Sequence, residues 1–290
     1  MFEKIIVPLD GSDKAEIVLP YVAAIATAFK SEVALVSAAE DKPDKSEWFQ
    51  SYLNHIAERL RSSLKKHAAS NISTGVLTGK PADEILKYAA QMKADLIIMA
   101  GHGASGGNPL LLGNIATKIL SASPKPVLLV RSPVAADIKP AEMIKRILVP
   151  LDGSRMSEQA LKTVEPMAAG LGAAIVLFQA VEPVRYVPGF ETMVPNVVLP
   201  SDEEIKNSAA KYLASVEAPL KQRGVKISSA ITADSPAEAI IDYADSGKID
   251  IIAMTTHGFS GIKRWVFGST TEKILQAASK PILVIPSEKG

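Results

Sequence analysis

The chain has 290 residues, 47% hydrophobic and 22% charged, with 32 Lys and Arg against 31 Asp and Glu. That composition excludes disorder as the main state, and a balance this even leaves no field to hold a polyanion by counterion release, so no nucleic acid is expected. With no cysteine at all, disulfides, thiol nucleophiles and thiolate metal sites are excluded too. The first apolar run is Ile5 to Val7, and it leads to Asp10 and to Ser12, which is placed to cap a helix. A second run, Val33 to Val36, ends near Ala38. Next comes a helical stripe in which Trp48, Tyr52, Ile56, Leu60 and Leu64 recur every fourth residue, the pattern of a core-facing face. Pro81 suits a first helical turn, and Leu96 to Met99 and Val127 to Val130 are again continuous apolar runs. Runs of that kind are expected of parallel strands buried on both faces.

The same order then returns. KIIVPLDGS at Lys4 to Ser12 recurs as RILVPLDGS at Arg146 to Ser154, an offset of 142 residues. KPADEILKYAAQMKADLIIMAGHG from Lys80 aligns with SPAEAIIDYADSGKIDIIAMTTHG from Ser235, an offset of 155, so the second copy carries 13 more residues. A repeat this long is a duplicated domain. We read a first domain over 1–133, a linker over 134–144 broken by Pro140, and a second domain over 145–290 in which Ser154 caps, Pro236 opens a helix, and Ile205, Tyr212, Leu213, Val216 and Leu220 form the matching stripe. Each copy reads as alternating strands and helices. The expected fold is therefore α/β, two tandem doubly wound parallel sheets of five strands each, Rossmann-like and three-layered.

In such a sheet, ligands bind beyond the carboxyl ends of the strands, where the strand order reverses. Asp10 and Asp152 end the first strands, Ala38 and Ala180 the second, and Gly-rich segments from Gly101 and from Thr255 follow the fourth. THGFSGIKRWVFGST, Thr256 to Thr270, closes in a glycine and two hydroxyls at the start of a helix, an arrangement that suits an anion, and Lys263 and Arg264 add positive charge. Other matches fail. GHGASG at Gly101 to Gly106 fits the dinucleotide fingerprint, yet it follows a fourth strand and lacks an acidic residue at the required distance. GASGG at Gly103 to Gly107 fits a nucleophile elbow without a downstream histidine in its half, and Pro81 after Gly79-Lys80 cannot supply a metal-binding hydroxyl. His55 and His67 lack metal-ligand spacing, so no metal site is expected. No catalytic residue stands out, since neither His102 nor His257 has a carboxylate or nucleophile spaced to serve it.

The opening IxVPxDGS, the paired His-Gly and the spaced glycines resemble those of the universal stress protein family in its tandem, two-domain form. The resemblance implies an adenine nucleotide alpha hydrolase-like fold and an ATP-binding pattern of Gly, two residues, Gly, nine residues, Gly, then Ser or Thr. In the second half Gly258, Gly268 and Ser269 keep that pattern and Thr255 replaces its first glycine. In the first half Gly103 and Gly113 keep it, while Ala100 and Asn114 depart from it. By resemblance Pro150 and Asp152 line the adenine and ribose side, Ala180 and Met254 contact the base, and Gly258, Gly268, Ser269 and Thr270 hold the phosphates, to which Arg264 is added for its charge in the same loop. Pro8, Asp10, Ala38, Met99, Gly103, Gly113 and Asn114 are the first-half counterparts. Magnesium is expected with the nucleotide.

The expected function is nucleotide-dependent binding in a stress or regulatory response, with at most slow hydrolysis. The rival is a tandem scaffold that has lost its ligand and works through protein contacts. Without a membrane-length apolar run or an export signal, a cytoplasmic location is expected and no membrane contact. The insertion Val181 to Pro200, with four prolines among apolar residues, reads either as a surface wrap or as a nucleotide lid. By the same resemblance the last strands, Val127 to Val130 and Ile282 to Ile285, pair with each other to make a pseudo-twofold monomer. Whether such monomers form a homodimer is left open.

Overall fold

A computed structural model describes residues 1–39, 43–64, 71–103, 112–133, 139–182, 200–256 and 267–287. The first half runs β1 (Lys4–Pro8), α1 (Asp13–Glu16), α2 (Leu19–Phe29), β2 (Glu32–Ala39), α3 (Pro43–Ser63), β3 (Ile72–Thr78), α4 (Pro81–Gln91), β4 (Leu96–Ala100), α5 (Asn114–Ala122) and β5 (Val127–Val130). After a 3-10 turn at Pro140–Glu142, the second half runs β6 (Arg146–Pro150), α6 (Arg155–Leu171), β7 (Ala174–Val181), α7 (Asp202–Gln222), β8 (Ile227–Ala233), α8 (Pro236–Ser246), β9 (Ile251–Thr255), α9 (Ser269–Ala277) and β10 (Ile282–Ile285).

Local chemistry explains the boundaries. Ser12 and Ser154 accept from the backbone N–H groups of Ala15 and Ser157, Pro81 and Pro236 open α4 and α8, and Ser201 with Glu204 forms a reciprocal capping box on α7. The single first helix expected in each copy is continuous only in the second. In the first it breaks into α1 and α2, and Pro20 stands in the opening turn of α2, where a missing N–H is tolerated. The stripe on α3 also differs at one end. Ile56, Leu60 and Leu64 are buried, but Trp48 is 54% exposed. Its ring stacks on Tyr52, with centroids 5.6 Å apart and planes 2° from parallel, and covers Gly11, whose φ of +82° suits a residue without a side chain.

The described strands form one sheet of ten in the order β3-β2-β1-β4-β5-β10-β9-β6-β7-β8. The strands are parallel within each half, and β5 and β10 join the halves antiparallel, with Leu129, Leu128 and Val127 opposite Ile282, Leu283 and Val284. The two five-stranded sheets are thus continuous, and each half covers the other's unpaired edge. Helices on the two faces bury two apolar clusters, each drawing residues from both halves. A second seam runs along α2, which packs on the 3-10 turn and on α6, with the Phe29 ring over Gly170. Asp95 and Asp250 repeat one device: each carboxylate accepts two backbone N–H groups where β1 or β6 begins. No described helix is long and apolar enough to cross a membrane.

Candidate functional site

Within each half the order reverses between the first and fourth strands, β1 with β4 and β6 with β9. In the second half β6 pairs with β9 only at Ile147–Ile251 and Leu148–Ile252. Beyond those two rungs the strands part, and the loops leaving them diverge around a crevice. A cavity of about 460 Å³ lies there, lined by Pro150, Asp152, Ala180, Met254, Gly268, Ser269 and Thr270 among others. These are seven of the nine second-half positions expected from the sequence; Gly258 and Arg264 lie outside the described residues.

Each wall has a local cause. Asp152 Oδ1 accepts from Ser154 N at 3.0 Å and from Ser154 Oγ at 2.6 Å, so the carboxylate is fixed in the turn that leaves β6. Ser157 Oγ accepts from Asp152 N at 3.4 Å and anchors that turn to α6. Opposite, Gly268 N donates to Thr256 O at 3.0 Å, which sets the start of α9 against the end of β9. Thr271 Oγ1 reaches Thr255 O at 3.3 Å, a second tie between strand and helix. Gly268 is the extended cap of α9, so the first N–H groups of the helix, with no carbonyl of their own helix to bind, open beside the Ser269 and Thr270 hydroxyls. Phe178, Ile240 and Met254 add an apolar surface to the same lining. The cavity thus offers helix N–H groups and hydroxyls that suit an anion and an apolar surface that suits a flat group.

Sequence reasoning missed Ser157, Phe178, Glu182, Pro236, Ile240 and Thr271, which also line this cavity. Phe178 comes from its register opposite Pro150, and Pro236 and Ile240 from one face of α8. The four-residue spacing of that pair was visible, but the cavity it faces was not.

In the first half Pro8, Asp10, Ala38, Met99, Gly103, Gly113 and Asn114 line the corresponding cavity, which is smaller, about 170 Å³. Its chemistry differs as well. Asn114, Ile115 and Ala116 stand where the second half has Ser269, Thr270 and Thr271, so the first three positions of α5 carry no hydroxyl, and that of Thr117 donates to the Gly113 carbonyl at 3.1 Å. Gly103 lies directly against the Asp10 carboxylate, leaving no room for a Cβ. Ser12 N and Oγ hold Asp10 Oδ1 at 3.1 and 2.6 Å, repeating the second-half turn.

Beside each cavity a tyrosine meets a glutamate. Tyr212 OH donates to Glu158 at 3.0 Å, and Tyr52 OH to Glu16 at 3.3 Å. Burial, then the glutamate, holds both phenols well above their ordinary pKa, with smaller contributions from Asp152 and Asp10. These groups stay neutral. Among the described residues no group of three or more His, Asp or Glu could hold a metal ion. The insertion Val181 to Pro200 lies outside the described residues except at Val181, Glu182 and Pro200, and Lys263 and His257 lie outside them too.

The family model for the universal stress protein family matches residues 1–131 and 143–286. A universal stress protein of Methanocaldococcus jannaschii is 31% identical over 143 residues, which is 46% of this chain and 84% of that protein. One from Thermus aquaticus is 36% identical over 140 residues, 45% of this chain and all of that protein. The crystal structure of a universal stress protein from Archaeoglobus fulgidus has the same fold over 99% of this chain and 97% of its own, with a TM-score of 0.72 at 18% identity.

Proposed function

Since this chain belongs to the universal stress protein family, in two tandem copies, we propose that its second half binds one ATP in the cavity at the carboxyl ends of β6, β7 and β9. The carrying observation is that the Asp152 turn, the hydroxyl-bearing start of α9 and an apolar surface of Phe178, Ile240 and Met254 line one cavity. Phe178, Ala180 and Met254 take the base, Asp152 accepts from the ribose hydroxyls, and Gly268, Ser269 and Thr270 hold phosphate oxygens at the positive end of the helix. By the family's pattern Gly258, with Arg264 for its charge, is assigned to the phosphates as well; both lie outside the described residues.

Magnesium fits as a companion of the phosphates. The hydroxyl oxygens of Ser269 and Thr270 are hard donors of the kind it accepts, and the described residues offer no carboxylate cage that would bind it alone. Bound magnesium would offset phosphate charge beside Asp152 and Glu182.

The output is binding rather than turnover. Asp152 is held by the Ser154 N–H and hydroxyl, and so positions a ligand rather than activating a water. The first half serves as partner of the sheet, because the Asn114, Ile115 and Ala116 turn and the Asp10 carboxylate over Gly103 disfavour a polyphosphate. The protein acts in a stress or regulatory response in the cytoplasm, its ligand state changing what it contacts. Mass spectrometry of small molecules carried through native purification tests the reading against a ligand-free scaffold. About one adenine nucleotide per chain supports it; none, even after purification with added ATP, overturns it.

A further inference from the structure

Arg131 directly follows β5 and matches Pro286 in the second half, 155 residues on. Its aliphatic stem lies on Gly101, where an added Cβ would stand 3.1 Å from its Cγ. Its guanidinium crosses to the other half, and Nη1 donates to the Leu275 carbonyl at 2.7 Å. Leu275 belongs to the last turn of α9, where carbonyls lack intrahelical donors, and α9 has no basic residue of its own there. A guanidinium at that place satisfies the acceptor and faces the negative end of the helix dipole. Burial lowers the Arg131 pKa from its ordinary value, yet an arginine remains charged at neutral pH. Pro286 offers neither a charge nor an N–H in return, so this contact is one-way.

The opposite end of α9 is the start of the anion site. At nine residues the helix is about 14 Å long, short enough to tilt as a rod, so whatever holds its carboxyl end also aims Ser269 and Thr270. Thr271 ties the amino end to β9, and Ile274 and Leu275 are buried beneath it. Resting on the nucleotide reading of that cavity, we infer that Arg131 is a positioning residue for the second-half site, by which the first half holds α9 in its binding orientation.

The test uses the full chain as wild type, Arg131→Gln and Arg131→Lys, with two readouts: titration with ATP and magnesium, and amide hydrogen exchange without ligand. The glutamine variant binds ATP about fivefold more weakly. Its exchange quickens in 272–277 but not in β6 or β7, and the lysine variant recovers most of both. Native affinity in Arg131→Gln, or exchange that quickens equally through both halves, overturns the inference. A wild type that binds no ATP refutes the nucleotide reading and the affinity part of the inference with it. Unchanged α9 exchange in Arg131→Gln refutes the positioning role whatever the ligand.

Discussion

Ser269 and Thr270 are the positions at which the proposed phosphate site can be altered with least harm to the fold. Ser269 is exposed, Thr270 is half-buried, and both follow the cap Gly268, so replacing them with Ala and Val leaves the helix boundary and the tie from Gly268 N to Thr256 O in place. A hydrogen bond to a charged group contributes roughly 1.5 to 3 kcal/mol, and taking the lower value each hydroxyl accounts for about tenfold in affinity. Ser269→Ala and Thr270→Val should each weaken ATP by about tenfold, and the double variant by somewhat less than the product, because neighbours sharing one ligand are not additive. Stability should change by less than about 0.5 kcal/mol. Calorimetric titration with ATP and with adenosine, both with magnesium, separates phosphate contacts from base contacts: ATP affinity falls and adenosine affinity holds. Equal losses for the two ligands, or no loss for ATP, would refute the assignment of the α9 start to phosphate.

Two further outcomes concern the scaffold. Burial first and the Asp250 charge second push the Tyr21 pKa up from 10.0 to about 12, so the folded chain keeps a proton that the unfolded chain releases. That contribution, at most about 3 kcal/mol, is complete below pH 10 and lost as pH rises through 12; urea unfolding across this range should show a shallower loss in Tyr21→Phe, and an equal slope would contradict the assignment. Leu283, fully buried where β10 meets β5, should cost about 2 to 5 kcal/mol on replacement by Ala, and a urea midpoint near the wild-type value would show that the junction contributes little.

Much of this architecture was legible along the chain because its signals are local. Repeated DGS turns, continuous apolar runs and prolines at helix starts each act within a few residues, and so most strands, most helices and the strand ends bearing Asp152 and Ala180 could be placed, while the half-exposed β3 and β8, without a continuous apolar run, could not. The pairing of Val127 to Val130 with Ile282 to Ile285 followed from resemblance, not from any local pattern. What escaped depends on contacts between distant segments. Phe178 enters the cavity through its register with β6, and Ser157 through the turn at Asp152. Trp48 continues the spacing of a buried stripe but stands at its open end, over Gly11. The reach of Arg131 to Leu275 spans 144 residues and has no counterpart in the other copy, so the repeat could not disclose it.

The most direct measurement is calorimetric titration of nucleotide-free wild-type chain with ATP and magnesium. One site per chain, with a rise in thermal unfolding temperature as ligand accumulates, is the expected result. Absence of heat and of stabilisation at millimolar ATP would contradict the claim that the cavity beside α9 is a nucleotide site, and two equal sites would contradict the distinction drawn between the halves.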